Sequence, residues 1–460
     1  MAGRVGCIIL AAGQGKRMKS KKPKVLHELL GIPMAGWVLN AVKECGIENP
    51  VMVVGHEKEM VMAKFQGQCA FASQDEQLGT GHAVMQAMKY LEELSDGYVV
   101  VVSGDTPLIT AQTIQNTINA CKEEGCAATV LSAIADNAFG YGRIVRAPAG
   151  DVLKIVEQKD ASPEEQKIME VNAGIYCFYV PALIEALHAL TCENSQGEYY
   201  LTDTIAYLRA KQQRVGCVIA PDMNEIIGIN DRVQLSKVQE VKAEKIAHWH
   251  MENGVTIHNP KSVYIAPDAV IGMDTQVLSG TNIGPGCIIG EGCVIGPNTV
   301  LENTCIGDRT KVNASQCYHC IIGDDTTIGP FAHLRPATHL GNHIRIGNFV
   351  ELKNAKIDDD TKVSHLTYLG DSVIGKRVNF GCGVITVNYN GDKKYITTVH
   401  DDVFVGCNSN LVAPITINSN SYIACGSTVT DEVMEGELAV ARAKQVNKPG
   451  WVKKWEEKKK

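Results

Sequence analysis

The feature that most constrains this chain is a period of six running through its second half, residues 255 to 433. From Ile283 the sequence reads IGPGCI, IGEGCV, IGPNTV. After slips at Cys305 and Cys317 it resumes as IGDDTT, IGPFAH and LRPATH, and later as IGKRVN and FGCGVI. The first position is usually aliphatic, the second often Gly, the fifth small or β-branched. Six matches neither the 3.6-residue helix nor the two-residue strand period. It matches a parallel β-helix, in which each six supplies one short strand and one corner. The aliphatic residue points into the tube, and Gly, Asn or Asp makes the bend. Three sixes close one turn of a triangular prism, so the stretch predicts roughly nine or ten turns. No single repeat can bury its apolar residues; stacking makes the core.

The first half is of another kind. VGCIILAA, residues 5 to 12, reads as a strand buried on both faces, as in parallel sheets, and not as a signal segment. Residues 35 to 44 carry helical periodicity, and Val51 to Val54 and Val99 to Val102 are further apolar strands. Such alternation predicts an α/β doubly wound sheet, whose ligands bind beyond the carboxyl ends of its strands. Between residues 230 and 251, Leu235, Val238, Val241, Ile246 and Trp249 recur near helical spacing, with Asn230 or Asp231 able to cap the start. A single helix joining two domains is expected there.

Composition narrows the function classes. At 45% hydrophobic and 21% charged the 460 residues are ordinary globular material. A net charge of −7 leaves no electrostatic footprint for nucleic acid. No apolar run approaches the ~18 residues that span a bilayer, so no membrane partner is expected. The sixteen cysteines, scattered through apparent strands, read as reduced thiols of a cytoplasmic protein. Cys317 and Cys320, with Cys305 upstream, lack the second ligand pair that a zinc site needs and read as corner packing. The KKWEEKKK tail reads as a solvated end, and the residues around Trp451 and Trp455 as a cap or arm.

Two sets of residues break the background. In the first half, Gly13-Gln14-Gly15-Lys16-Arg17 can cradle phosphates on backbone N–H groups, with Arg17 and Lys24 as nearby cations. It is neither a P-loop nor a dinucleotide fingerprint, since Met18 stands at the third glycine position. Asp105, at a strand end, and Asn230 could supply oxygens to Mg²⁺, which takes one or two protein ligands beside phosphates and water. Gln74, Gln77, Gly79 and Thr80 offer amides and a turn for a nucleobase edge. In the second half, Arg335 and Lys353 lie about one turn apart, and stacked cations call for an anion such as a sugar phosphate. His365, roughly one turn on, reads as a general base at matched register. The polar run from Val387 to Tyr395 must leave the prism as an exposed loop.

LAAGQGKRM, PKVL, QLGTGHA, GDTPL, GYGRI, VEQKDA, NAGIY and GEYYLTD, in this order, resemble the sugar-1-phosphate nucleotidyltransferases. Joined to the hexapeptide repeat, the chain resembles over nearly its whole length the bacterial bifunctional N-acetylglucosamine-1-phosphate uridyltransferase/glucosamine-1-phosphate acetyltransferase family. That resemblance implies a Rossmann-like nucleotidyltransferase domain over 1–228 and a linker helix over 229–252. It implies a left-handed β-helix acetyltransferase domain over 253–434 and a C-terminal arm over 435–460.

For the first site it implies that Leu10, Gly13, Gln74, Gln77, Gly79 and Thr80 lie along UTP. Arg17 and Lys24 would act on the phosphates; Gly142, Glu157, Asn172 and Thr202 would hold the N-acetylglucosamine ring. Asp105 and Asn230 would hold Mg²⁺. For the second it implies His365 as the base that deprotonates the amine of glucosamine-1-phosphate as it attacks acetyl-CoA. Arg335 and Lys353 would bind the phosphate, and Tyr368, Asn379, Asn388, Tyr389 and Lys394 would line the pocket. The backbone at Cys382 would steady the oxyanion, with Cys407, Cys425 and Arg442 along the coenzyme. A homotrimer through the β-helix is also implied. Cys382, Cys407 and Cys425 depart from the Ala or Ser expected in many relatives. The competing expectation is a single-function nucleotidyltransferase whose β-helix is only structural.

Overall fold

The computed structural model describes residues 3–459. The chain divides into two compact units, residues 1–242 and 243–460.

The first unit is a nine-stranded sheet with helices on both faces. Its main path runs Val215–Ile219, Ala128–Ile134, Glu170–Tyr179, Tyr98–Ser103, Val5–Ala11, Val51–Val54 and Ala70–Ser73. Val5–Ala11 pairs in parallel with Tyr98–Ser103 on one side and Val51–Val54 on the other, so its residues have no solvent face. That explains the unbroken apolar run: Cys7, Ile9 and Ala11 enter one core while Ile8 enters the other. The sheet is not purely parallel, because Glu170–Tyr179 runs antiparallel to both its neighbours and carries the Arg143–Arg146 and Val152–Val156 hairpin at its end. The strands Val5–Ala11 and Tyr98–Ser103 end together, which brings the loops after Ala11 and Ser103 to one edge.

The helix Arg232–Glu252 leaves this unit and enters the next. Asp231, not Asn230, caps it: its Oδ1 accepts from the Gln234 backbone N–H at 2.8 Å, while Gln234 Oε1 accepts from the Asn230 backbone N–H at 2.7 Å. The two bonds form a reciprocal cap. The Asn230 side chain is thereby left to the first site. Val238, with Leu235 and Val241, packs on Leu29, Met34, Leu108 and Ile229. Trp249 differs from the apolar stripe expected of it, lying 58% exposed with its edge against His250.

The second unit is the β-helix, and it is of the left-handed hexapeptide kind. One face is an eleven-stranded parallel ladder, so the tube has one more rung than ten turns require. The other two faces share a seventeen-stranded ladder, since Glu351–Ile357 and Tyr368–Ile374 each run around a corner. Apolar residues stack inside in register: Ile328 on Ile346, Ile346 on Val363, Val363 on Phe380. Corners are made by residues of positive φ, such as Phe349, Asn354 and Asp360 in one coil and Leu366, Asp371 and Arg377 in the next. Cys317 corrects the corner expectation. It occupies an inward position between Leu301 and Leu334 and is fully buried, while Cys305 faces outward.

The tube has no second layer to fill a void, so shortening an inward residue leaves a cavity. Ile346→Ala is expected to cost about 2–5 kcal/mol, read as a lowered denaturant midpoint of the β-helix transition.

Candidate active sites

The loop Gly13–Met18 closes over the strand ends as a 3₁₀ turn at Lys16–Met18. Gly15 adopts φ 61°, and a Cβ there would lie 2.6 Å from Lys24 Cβ, so only glycine lets the loop and Lys24 approach this closely. Gly79 is likewise required: its φ is 108°, and a Cβ would meet the Tyr199 carbonyl at 2.6 Å. A cavity of about 610 Å³ opens beneath the loop, lined by Leu10, Gly13, Lys24, Gln74, Gln77, Gly79, Thr80 and Asp105. Gln14 Nε2 donates to Gln77 Oε1 across the mouth at 2.8 Å. Gln74 Nε2 donates to the Gly79 carbonyl at 3.0 Å, which fixes the amide on the cavity wall.

Lys24 is the electrostatic centre. Its ammonium donates both to Asp105 Oδ2 and, at 3.1 Å, to Asn230 Oδ1. The Ile229 backbone N–H donates to the Asp105 carbonyl at 3.0 Å, holding the Asn230 segment against the strand end. Two hard oxygens therefore converge on one cation position, which the ammonium fills, a donor set that suits a hard divalent cation. Arg17 is exposed and does not line the cavity; its neighbour Lys16 does, which the sequence reading missed.

Gly142, Glu157, Asn172 and Thr202 gather beside that cavity. A Cβ on Gly142 would lie 3.6 Å from both Asn172 Cβ and Glu157 Oε1, and Thr202 Oγ1 donates to Glu157 Oε1 at 3.4 Å. Thr80 Oγ1 accepts from the Leu201 backbone N–H at 3.1 Å, tying this group to the cavity wall. Burial pushes the Glu157 carboxyl above the ordinary carboxylate range, against the Thr202 hydroxyl, which pulls it down. A folded-state pKa above the unfolded value means the native state holds the proton longer. Its favourable contribution is complete below the unfolded pKa of ~4.3 and is lost as pH rises through the folded value. Glu157→Gln is expected to flatten that fall, seen as a smaller drop in denaturant midpoint across this window than in the parent.

In the β-helix, Arg335 stacks on Lys353 in register, as His333–Leu334 pairs with Glu351–Leu352. The next residue in that column is Gly370, not His365. His365 stacks on Asn348 instead, immediately before the corner residue Leu366, whereas Lys353 immediately precedes the corner residue Asn354. His365 thus ends the eleven-stranded face and the cations end the face that follows it, which corrects the matched-register expectation. Asn348 Oδ1 lies 2.9 Å from His365 Nδ1. A carbonyl oxygen only accepts, so in the neutral imidazole this bond selects the tautomer with the proton on Nδ1 and the lone pair on Nε2.

Lys394, from the extruded loop, lies beside Lys353 and, with Arg335, pushes its ammonium below the ordinary lysine value. Three cations share this end of the face, with Glu351 Oε1 pairing Arg335 at 2.8 Å. The loop is pinned by a bridge between Tyr389 and Lys394 and by Asn390 Oδ1, which accepts from the backbone N–H groups of Asp392 and Lys393. Asn388 donates to Asp371 Oδ2 at 2.5 Å, and Asn354 donates to Asp371 Oδ1 at 2.7 Å. Asp371, Asn348 and Glu351 are functional candidates that the sequence reading missed. Tyr368 stands at the foot of this face, and a Cβ on Gly370 would lie 2.8 Å from the Asn388 amide. Asn379 stacks on Lys362 in the ladder of the neighbouring face. Cys382, Cys407 and Cys425 follow His365 up its column, and the Arg442 stem lies 3.8 Å from a Cβ placed on Gly426. Among the described residues no three His, Cys, Asp or Glu side chains form a metal-holding group. No described helix is long and apolar enough to cross a membrane.

Comparison with known proteins gives the same division. Residues 7–213 match the model of the MobA-like NTP transferase domain, and residues 259–345 that of the GMPPB C-terminal domain. The bifunctional protein GlmU of Acetivibrio thermocellus is 52% identical over 445 residues, covering 97% of this chain and 96% of its own. Its counterparts in Geobacillus sp. strain WCH70 and Clostridioides difficile strain 630 are 49% and 47% identical over 97% and 98% of each chain.

Proposed function

The chain belongs to the GlmU family of bifunctional proteins, and from that premise we propose which of its residues carry each activity. It is a bifunctional enzyme of UDP-N-acetylglucosamine synthesis. Acetyl transfer from acetyl-CoA to glucosamine-1-phosphate is followed by uridylyl transfer from UTP, with release of pyrophosphate. The observation that carries the assignment is the presence of one complete constellation in each unit: Lys24, Asp105 and Asn230 around a nucleotide-sized cavity, and His365 with three cations on the β-helix.

In the uridylyl step the sugar phosphate oxygen attacks the α-phosphorus of UTP in line. No protein nucleophile is needed, only positioning and charge. Gln74, Gln77, Gly79, Thr80, Leu10 and Gly13 hold the nucleotide; Gly142, Glu157, Asn172 and Thr202 hold the sugar. Lys24 and Arg17 offset charge on the departing pyrophosphate. Asp105 and Asn230 would hold a divalent metal, which we assign as Mg²⁺ and which would supply neutralisation of phosphate charge.

In the acetyl step Arg335, Lys353 and Lys394 grip the phosphate, and His365 Nε2 takes the amine proton as nitrogen attacks the thioester. Tyr368, Asn379, Asn388 and Tyr389 line the sugar and acyl pocket. The backbone at Cys382 faces the oxyanion, with Cys407, Cys425 and Arg442 along the coenzyme. A homotrimer is supported by an exposed apolar corner column, Phe331, Phe349 and Leu366, whose first two rings stack at 5.5 Å. Sixteen free thiols support a cytoplasmic setting.

The test is release of free coenzyme A thiol from acetyl-CoA with glucosamine-1-phosphate and no UTP. Release that depends on the amino sugar phosphate establishes the second site. A folded protein that releases none has a merely structural β-helix.

A further inference from the structure

Three of this chain's thiols continue the column that holds the histidine. Counting on from the paired residues Val363, Phe380, Val405 and Ile423, the positions His365, Cys382, Cys407 and Cys425 fall one above another on successive rungs. The backbone holds that register: Gly383 N–H donates to the His365 carbonyl, Asn408 N–H to the Cys382 carbonyl, and Gly426 N–H to the Cys407 carbonyl. Each thiol immediately precedes a corner residue of positive φ, namely Gly383, Asn408 and Gly426, so all three leave the tube in the same direction. Cys407 and Cys425 are exposed and Cys382 is half-buried.

The column is not built for a metal. Its side chains follow one line, and among the described residues no three His, Cys, Asp or Glu side chains converge on one point. It is suited to a bond between neighbours. Adjacent strands in such a ladder are about 4.7–4.9 Å apart, inside the Cα separations of about 4.4–6.8 Å that a disulfide spans. The direction is set by Cys407, whose Sγ would lie 2.9 Å from a Cβ on Gly381. The sulfur therefore packs against the rung that bears Cys382.

We propose that Cys382 and Cys407 are a dithiol modification site that reacts with low-molecular-weight disulfides to form a reversible bond beside His365. The exposed Cys407 thiol gives up its proton, and its sulfur attacks one sulfur of the small disulfide RSSR. The S–S bond breaks and one thiol, RSH, leaves. The deprotonated Cys382 sulfur then attacks the Cys407 sulfur and expels the second RSH. Two protein thiols are oxidised, one small disulfide is reduced, and the protons are carried off on the two RSH molecules. The bond lies on the rung next to the base, so it closes the acetyl-transfer site and leaves the uridylyl site in the other unit open. This second consequence rests on the acetyltransferase reading of His365; the bond itself does not.

The test treats the full-length protein with oxidised glutathione, alkylates the remaining thiols and maps the peptides by mass spectrometry. The expected result is a Cys382–Cys407 cross-linked peptide lacking two hydrogens, with Cys425 alkylated. Acetyl transfer is lost, uridylyl transfer is kept, and dithiothreitol restores the first. Cys407→Ser, compared with its own untreated activity, is expected to be insensitive, and Cys425→Ser to retain the cross-link. Glutathione remaining on Cys407, a Cys407–Cys425 bond, or three alkylated thiols would overturn the proposal. So would a cross-link that leaves acetyl transfer unchanged. A cross-link in a protein that transfers no acetyl group even when reduced would uphold the dithiol and refute the His365 reading alone.

Discussion

His365→Ala is expected to lower acetyl transfer by about 10²–10⁴-fold, the usual worth of a positioned general base, while uridylyl transfer from supplied N-acetylglucosamine-1-phosphate stays at the parental rate. The physical case is local. The imidazole is exposed at a corner and makes one side-chain bond, to Asn348, so truncating it removes little packing. What is lost is the Nε2 lone pair and its orientation. Thermal unfolding of the variant should match the parent, so a fall in rate reports chemistry. Separate assays of coenzyme A thiol and pyrophosphate release check it. An equal loss of both activities in a folded protein would refute the two-site division.

Lys24→Ala has the opposite signature: uridylyl transfer falls by about 10²–10³-fold, as when one preorganised charge donor is removed from a phosphoryl-type site, and acetyl transfer is unchanged. Lys24 is mostly buried, and both its partners, Asp105 and Asn230, lose their ammonium contact when it is truncated. The ammonium also sits where two oxygens could take a metal, so the variant should bind Mn²⁺, used as a paramagnetic probe, at least as tightly as the parent. A variant that loses both activity and metal binding would instead show a collapsed site. Read together, the two variants form a double dissociation within one chain.

Much of this arrangement was legible because it rests on periodicity and strand ends. The hexads announced the tube, since an inward aliphatic every six residues has no other use in a soluble fold. Strand ends placed Asp105, and the glycine turn placed Lys24. Columns were harder to read. Asn348 and Asp371 hydrogen-bond residues one coil away, and coil length is not constant, so counting eighteen from Lys353 overshoots its true neighbour, Gly370. Lys16 and Arg17 are adjacent in sequence, and only the 3₁₀ turn decides which one lines the cavity. Trp249 matched the apolar rhythm of its helix but has no wall of residues to receive it.

The corners of the tube do more than turn the chain. Val300 pairs with Gln316, sixteen residues on; Ile288 with Cys305, seventeen on; Thr327 with Arg345, eighteen on. Phe380 finds its partner in Val405 after twenty-five, with the extruded loop in between. Every rung nonetheless returns an inward residue to the same phase. The solenoid is therefore insensitive to insertions and deletions at its bends, and this is what lets a lineage thread a new loop between two coils and acquire a site without redesigning the scaffold.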